Sequence, residues 1–99
     1  MDDAIRVEVE RTGGFGGLVT RRSVDTRSLP TEDGQQLARL VRGLDVDALT
    51  RTGPGRSVPD AFQYDILIST GDGQIRLHAQ DPDVPAQLRP LIHFVVQRP

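Results

Sequence analysis

Ile5-Arg6-Val7-Glu8-Val9-Glu10-Arg11-Thr12-Gly13-Gly14-Phe15-Gly16-Gly17-Leu18-Val19-Thr20-Arg21-Arg22-Ser23-Val24 is the stretch whose reading decides the fold. Ile5, Val7 and Val9 alternate with Arg6, Glu8 and Glu10, the pattern of a strand with one dry and one wet face. Leu18 to Val24 reads as a second, weaker strand. Between them lie four glycines around one phenylalanine, so the backbone is free to turn sharply and to take positive φ. The simplest structure is an antiparallel hairpin with a loop longer than two residues and a mobile tip. Phe15 has no neighbouring side chain to pack on. It either folds back onto the sheet or is offered to a partner, and exposed apolar side chains are common enough to need no partner.

Working outward, Asp25 to Pro30 is a connector. Thr31 reads as a helix N-cap, with Glu32 and Asp33 in the first turn, where negative charge suits the helix dipole. Leu37, Leu40, Val41 and Leu44 then recur at helical spacing. Gly43 weakens the end of this helix, and Val46 to Leu49 add at most a short turn. Thr52 to Asp60 holds two Gly and two Pro and reads as a loop. Phe62, Tyr64, Ile66 and Ile68 alternate with polar residues, Leu67 being the exception, so Phe62 and Tyr64 are expected in the core. The Asp72-Gly73 pair signals a tight hairpin turn. Ile75, Leu77 and Ala79 form the apolar face of a fourth strand. Leu88, Leu91, Ile92 and Val95 give a closing helix. Pro85 suits its first turn, whereas Pro90 kinks it or delays its start.

The order ββαββα predicts an α+β domain: a four-stranded antiparallel sheet with two amphipathic helices packed on one face. A seven-residue strand spans about 23 Å at 3.3 Å per residue, and a helix of about 14 residues spans about 21 Å. The first helix therefore returns the chain to the edge it left. That places the Gly13–Gly17 loop and the Thr52–Asp60 loop together at one edge, with the Gly71–Gly73 turn at the other. Paired irregular loops on a rigid sheet make a plausible binding surface.

At 99 residues the chain reads as a single domain over residues 1–99, burying about two-thirds of its unfolded surface. The formal net charge is −2 with the signs interspersed, which disfavours nucleic-acid binding. No cysteine is present, so disulfides and thiolate metal sites are excluded. No apolar run approaches membrane length. The opening Met1-Asp2-Asp3-Ala4 lacks the features of a secretory signal, and a cytoplasmic protein is expected.

Catalytic patterns are absent. His78 and His93, the two histidines, lack metal-ligand spacing, so no metal site is expected in the free protein. No serine has a nucleophile context. The glycine-rich loop lacks the Lys-Ser/Thr ending and following helix of a phosphate cradle. The chain reads as a binding module and not an enzyme, with no cofactor.

The first strand with Arg11-Thr12-Gly13-Gly14-Phe15-Gly16-Gly17-Leu18, the later Asp60-Ala61-Phe62-Gln63-Tyr64 and the Leu88-x-x-Leu91 helix resemble, in order and length, the emfourin family. These are small bacterial and archaeal protein inhibitors of thermolysin-type (M4) zinc metallopeptidases, especially protealysin-like ones. The resemblance implies inhibition by two neighbouring loops. One supplies an aspartate to the protease's catalytic zinc; the other supplies an apolar side chain to a substrate subsite. The edge geometry above selects Asp60 for the zinc and Phe15 for the subsite, within a contact set of Gly13, Gly14, Phe15, Gly16, Gly17, Pro59, Asp60 and Ala61. Asp60 has an ordinary alternative role as a turn or cap residue after Pro59. Asp25, with Leu29 as its apolar neighbour, is the runner-up for the zinc, but the topology puts it at the opposite edge. A domain binding some other partner through the same loop edge is the competing reading. A small-ligand binder is a third, for which a chain this short leaves little room.

Overall fold

The computed structural model describes residues 4–13, 17–51, 61–81 and 83–97. Four strands form one antiparallel sheet: β1 (Arg6–Gly13), β2 (Leu18–Asp25), β3 (Gln63–Thr70) and β4 (Gly73–Gln80). Their spatial order is β2-β1-β3-β4. Each hairpin is a neighbouring pair, and the two are joined through β1 and β3, with Val7 opposite Ile68 and Val9 opposite Ile66. That register aligns the apolar positions of all four strands. Val7 stands beside Val24 on one side, and Ile66 beside Leu77 on the other. A slip of one residue would turn every one of these side chains to water.

Among the described residues the helices are α1 (Thr31–Arg42), α2 (Val46–Arg51) and α3 (Arg89–Val96). Helix α3 packs on β1 and β2, and α1 packs on α3. The apolar face of the sheet is thereby buried: Val7 is fully inaccessible, as are Leu37 of α1 and Leu91 and Val95 of α3. The stripe expected on α1 is present, with Leu40, Val41 and Leu44 packed at the margin of the core. Burial of these side chains is the main favourable contribution to folding, at about 25 cal/mol per Å² of apolar surface.

Several local expectations need correction. Thr31 is the first residue of α1 and not its cap; Pro30 holds the N-cap position and provides no side-chain hydrogen bond. The first turn relies instead on Glu32 and Asp33, and the last on Arg39 and Arg42, which complement the helix dipole. The short turn after Gly43 is a helix of its own, α2. Asp45 starts it, its Oδ1 accepting from the Ala48 N–H at 3.1 Å, the geometry of an N-cap reaching the third helical residue. The backbone N–H of Asp45 donates to Gln87 Oε1 at 2.7 Å, tying this junction to the segment before α3. The central residues of the second hairpin turn are Gly71 and Asp72, because Thr70 pairs with Gly73. Gly73 follows them at φ +135°, and its lack of a side chain is what allows that conformation. Pro90 does delay the last helix. Residues 86–88 form turns, and α3 starts at Arg89 with the proline in its first turn, where the missing N–H has no partner to lose.

Candidate functional site

Strand directions decide which loops meet. β1 runs up to Gly13, β2 descends from Leu18, β3 descends from Gln63, and β4 climbs back to Gln80. The flanks of the glycine loop and of the 52–60 segment therefore share one edge. Thr12 is paired with both Val19 and Gln63. Gly13, at φ +111°, lies so close to the incoming chain that a Cβ there would stand 2.5 Å from the Ala61 carbonyl oxygen. The end of β4 joins the same edge, where the Asp81 N–H donates to the Phe62 carbonyl at 2.9 Å. The Gly71–Gly73 turn and the 25–30 connector lie at the far end of the sheet.

Of the sequence-predicted contact set, Gly13 and Ala61 are brought into contact, and Gly17 is exposed at φ +63° with open space around it. Gly14, Phe15, Gly16, Pro59 and Asp60 lie outside the described residues. Asp25 ends β2 opposite Arg6, at the other end of the sheet. Its Oδ1 accepts from the Arg27 N–H at 2.8 Å, a local bond that shapes the connector. Leu29 packs against the core.

The loop edge carries apolar surface that sequence reasoning missed. Among the described residues, the exposed large hydrophobics are Leu18 at 73%, Val19 at 60% and Phe62 at 37%. All three belong to the flanks of the two loops. Phe62 thus departs from the expected core. It precedes β3, beyond the buried Ile66 and Ile68 of that strand. Tyr64, two residues on, is half-buried against the core as expected. The guanidinium of Arg11 lies over the Phe62 ring, 4.8 Å from its centroid, a cation–π contact that shelters one side of the ring. The signal for this was in the alternation itself: Arg11 continues the apolar face of Val7 and Val9, a charged residue where the core pattern runs out.

Behind that edge, between the sheet and α3, the Tyr64 hydroxyl donates a long 3.4 Å hydrogen bond to Asp81 Oδ2. Burial raises the phenol's pKa, and the negative charge of Asp81 raises it further, while Arg11 opposes both. On the open face of the sheet, Glu10 pairs with Arg21 at 2.7 Å and Asp65 meets His78 Nδ1 at 2.8 Å. Glu10 and Asp65 are direct cross-strand neighbours. Each carboxylate of this like-charge pair thus has a side-chain partner on the adjoining edge strand. Among the described residues no group of three or more His, Asp or Glu is arranged to hold a metal ion. No helix there is long and apolar enough to cross a membrane.

A four-stranded antiparallel sheet packed against helices, with exposed apolar side chains at the flanks of two segments that meet at one end, defines an α+β domain. The chain belongs to the Emfourin family, whose model matches residues 9–96, a span from mid-β1 to the end of α3. Membership implies a protease-inhibitor-type role and a protease as partner; the family is one of inhibitors and not of enzymes. No curated protein and no solved structure matches the chain.

Proposed function

We propose that this protein inhibits thermolysin-type (M4) zinc metallopeptidases, protealysin-like ones among them, by inserting the two loops of its apolar edge into the active-site cleft. The observation that carries this reading is the meeting of Gly13 and Ala61, beside Leu18, Val19 and Phe62. A patch of exposed apolar side chains around two loops is what a partner surface requires. Asp60 provides the carboxylate for the protease's zinc, which keeps an open coordination position normally filled by water. Phe15 fills an apolar subsite as the anchor of the interface. An aspartate side chain at the metal presents no scissile bond, so the inhibitor is not turned over there. Gly14, Gly16 and Pro59 complete the contact set as backbone around these two side chains. The location of the encounter is the cytoplasm of a bacterial cell.

The test is a titration of thermolysin activity with the purified protein, with a serine protease in parallel. Stoichiometric loss of thermolysin activity and an untouched serine protease are expected. Unchanged activity across a panel of thermolysin-type enzymes at micromolar protein would reject the reading. It would favour a domain that binds a different partner through the same edge.

A further inference from the structure

β4 is an edge strand, paired with β3 on one side only. Its register shows which backbone groups are in use. The Asp81 N–H donates to the Phe62 carbonyl at 2.9 Å, one step beyond the Gln63–Gln80 pair. Bonded pairs in an antiparallel ladder recur at every second residue, so Leu77 and Ala79 turn their backbone groups to β3. Arg76 and His78 turn theirs outward, where no other described residue bonds to them. The same counting from the 3.0 Å bond between the Thr26 N–H and the Ile5 carbonyl turns Val19, Arg21 and Ser23 of β2 outward. That other edge is blunted: Arg22 Nη1 donates to the Arg21 carbonyl at 3.1 Å, and both arginines put charge on it. β4 has no such block and no proline.

The side chains say what would fit. On the open face of the sheet Arg76 is exposed, and its guanidinium makes no hydrogen bond or ion pair with any described residue. Leu67 stands between it and Glu8 across the strands. Asp65, one step along, already meets His78. From Gly73 to Gln80 the strand carries no acidic residue. On the other face Ile75 is only half-buried, beside the buried Leu77 and Ala79. We propose that β4 is a docking edge for an extended acidic segment of a partner protein, which adds to the sheet as a further strand antiparallel to β4. Main-chain bonds to Arg76 and His78 hold it. An acid opposite Arg76 completes a cross-strand ion pair, a neutral residue faces His78, and apolar residues cover Ile75 and Leu77. A second copy of this chain fits less well. The two-fold register through Leu77 keeps the apolar faces together, but it sets Arg76 directly against His78 twice. The site lies along the side of the sheet and does not depend on the inhibitory reading of the loops.

The probe is the end-blocked peptide Thr-Val-Glu-Val-Thr, whose glutamate falls opposite Arg76 and whose valines fall opposite Ile75 and Leu77. It is titrated into the isotope-labelled full-length protein, with amide shifts and amide hydrogen exchange as readouts. Saturable shifts along β4 and slowed exchange at Arg76 and His78 are expected. Lysine in place of the glutamate should weaken binding about tenfold, as an attractive cross-strand pair becomes a repulsive one. N-methylation of the glutamate, which removes the N–H that faces the Arg76 carbonyl, should abolish binding. Arg76→Glu, at an exposed position, should reverse the preference between the glutamate and lysine peptides; if that variant fails to fold, the two peptide controls decide. The proposal is overturned by the absence of saturation at millimolar peptide, or by shifts confined to β2 or the loop edge. It also falls if the N-methylated or lysine peptide binds as tightly as the parent, or if folded Arg76→Glu keeps the native preference. A dimer of the peptide-free protein joined through β4 would overturn it in favour of the second copy.

Discussion

Gly13 and Gly17 both adopt positive φ, at +111° and +63°, yet only Gly13 is hemmed in by backbone. For Gly17→Ala the cost is that of a left-handed conformation, about 1–2 kcal/mol. Gly13→Ala adds a clash with the Ala61 carbonyl and should lower the melting temperature more; equal losses in thermal unfolding would mean that the close approach of the two flanks carries no energy. Tyr64 offers a second check at this scale. Its raised pKa means that the folded chain holds the phenolic proton more tightly than the unfolded chain, whose value is 10.0. Stability from this source is therefore complete below about pH 10 and is lost as pH rises through the folded pKa. Phenolate absorbance, reporting this tyrosine alone, should show a midpoint above 10.0. Arg11→Gln should move it higher still, since Arg11 opposes the shift, and Tyr64→Phe should remove the alkaline slope in stability.

Among the elements, α2 is the shortest, and it depends on its cap. Asp45→Ala removes the bond to the Ala48 N–H and should cost about 0.5–2 kcal/mol in denaturant unfolding, the usual weight of a lost N-cap. The Gln87 contact to the backbone of residue 45 remains in that variant, so the junction with α3 should persist. The proposed inhibition rests on the two loops. Asp60→Ala should change stability by no more than about 0.5 kcal/mol, while sharply weakening inhibition of thermolysin. Phe15→Ala should leave the melting temperature nearly unchanged and raise the inhibition constant at least about thirtyfold, the equivalent of about 2 kcal/mol at an interface anchor. A large thermal loss with inhibition intact would place Phe15 back on the sheet. Asp25→Ala is the matched control: it loses the bond to the Arg27 N–H, worth about 0.5–1.5 kcal/mol, and should inhibit normally. Inhibition abolished by Asp25→Ala and spared by Asp60→Ala would reverse the assignment of the zinc-binding aspartate.

At the scale of the whole molecule, the antiparallel run of β1, β2 and β3 brings the flanks of two segments, distant in sequence, to one end. This arrangement makes stoichiometric inhibition the expected behaviour, because one edge presents one composite surface. At that end Leu18, Val19 and Phe62 are exposed, Val19 on the open face of the sheet with Glu10 and Arg21. Arg11 lines a cleft against α3 and also lies over the Phe62 ring at the loop edge.

The alternation of Val7 and Val9, the Gly-Asp-Gly turn and the helical spacing from Leu37 and from Leu88 were enough to determine the strands, the two main helices and their order. Each is a local pattern that burial of one face enforces. The meeting of the loop flanks at one edge, seen where Thr12 pairs with both Val19 and Gln63, was expected from the matched spans of strand and helix. Asp60 and Phe15 as the contacting side chains came from that geometry together with a family resemblance, and they remain the part to be tested by substitution. Tertiary structure alone decided the exposure of Phe62, the approach of Gly13 to Ala61, and the cleft between Tyr64 and α3. These depend on which segments are brought together by the pairing of β1 with β3 and by the packing of α3 on β1 and β2. No periodicity within a single segment encodes the position of the segment that covers it.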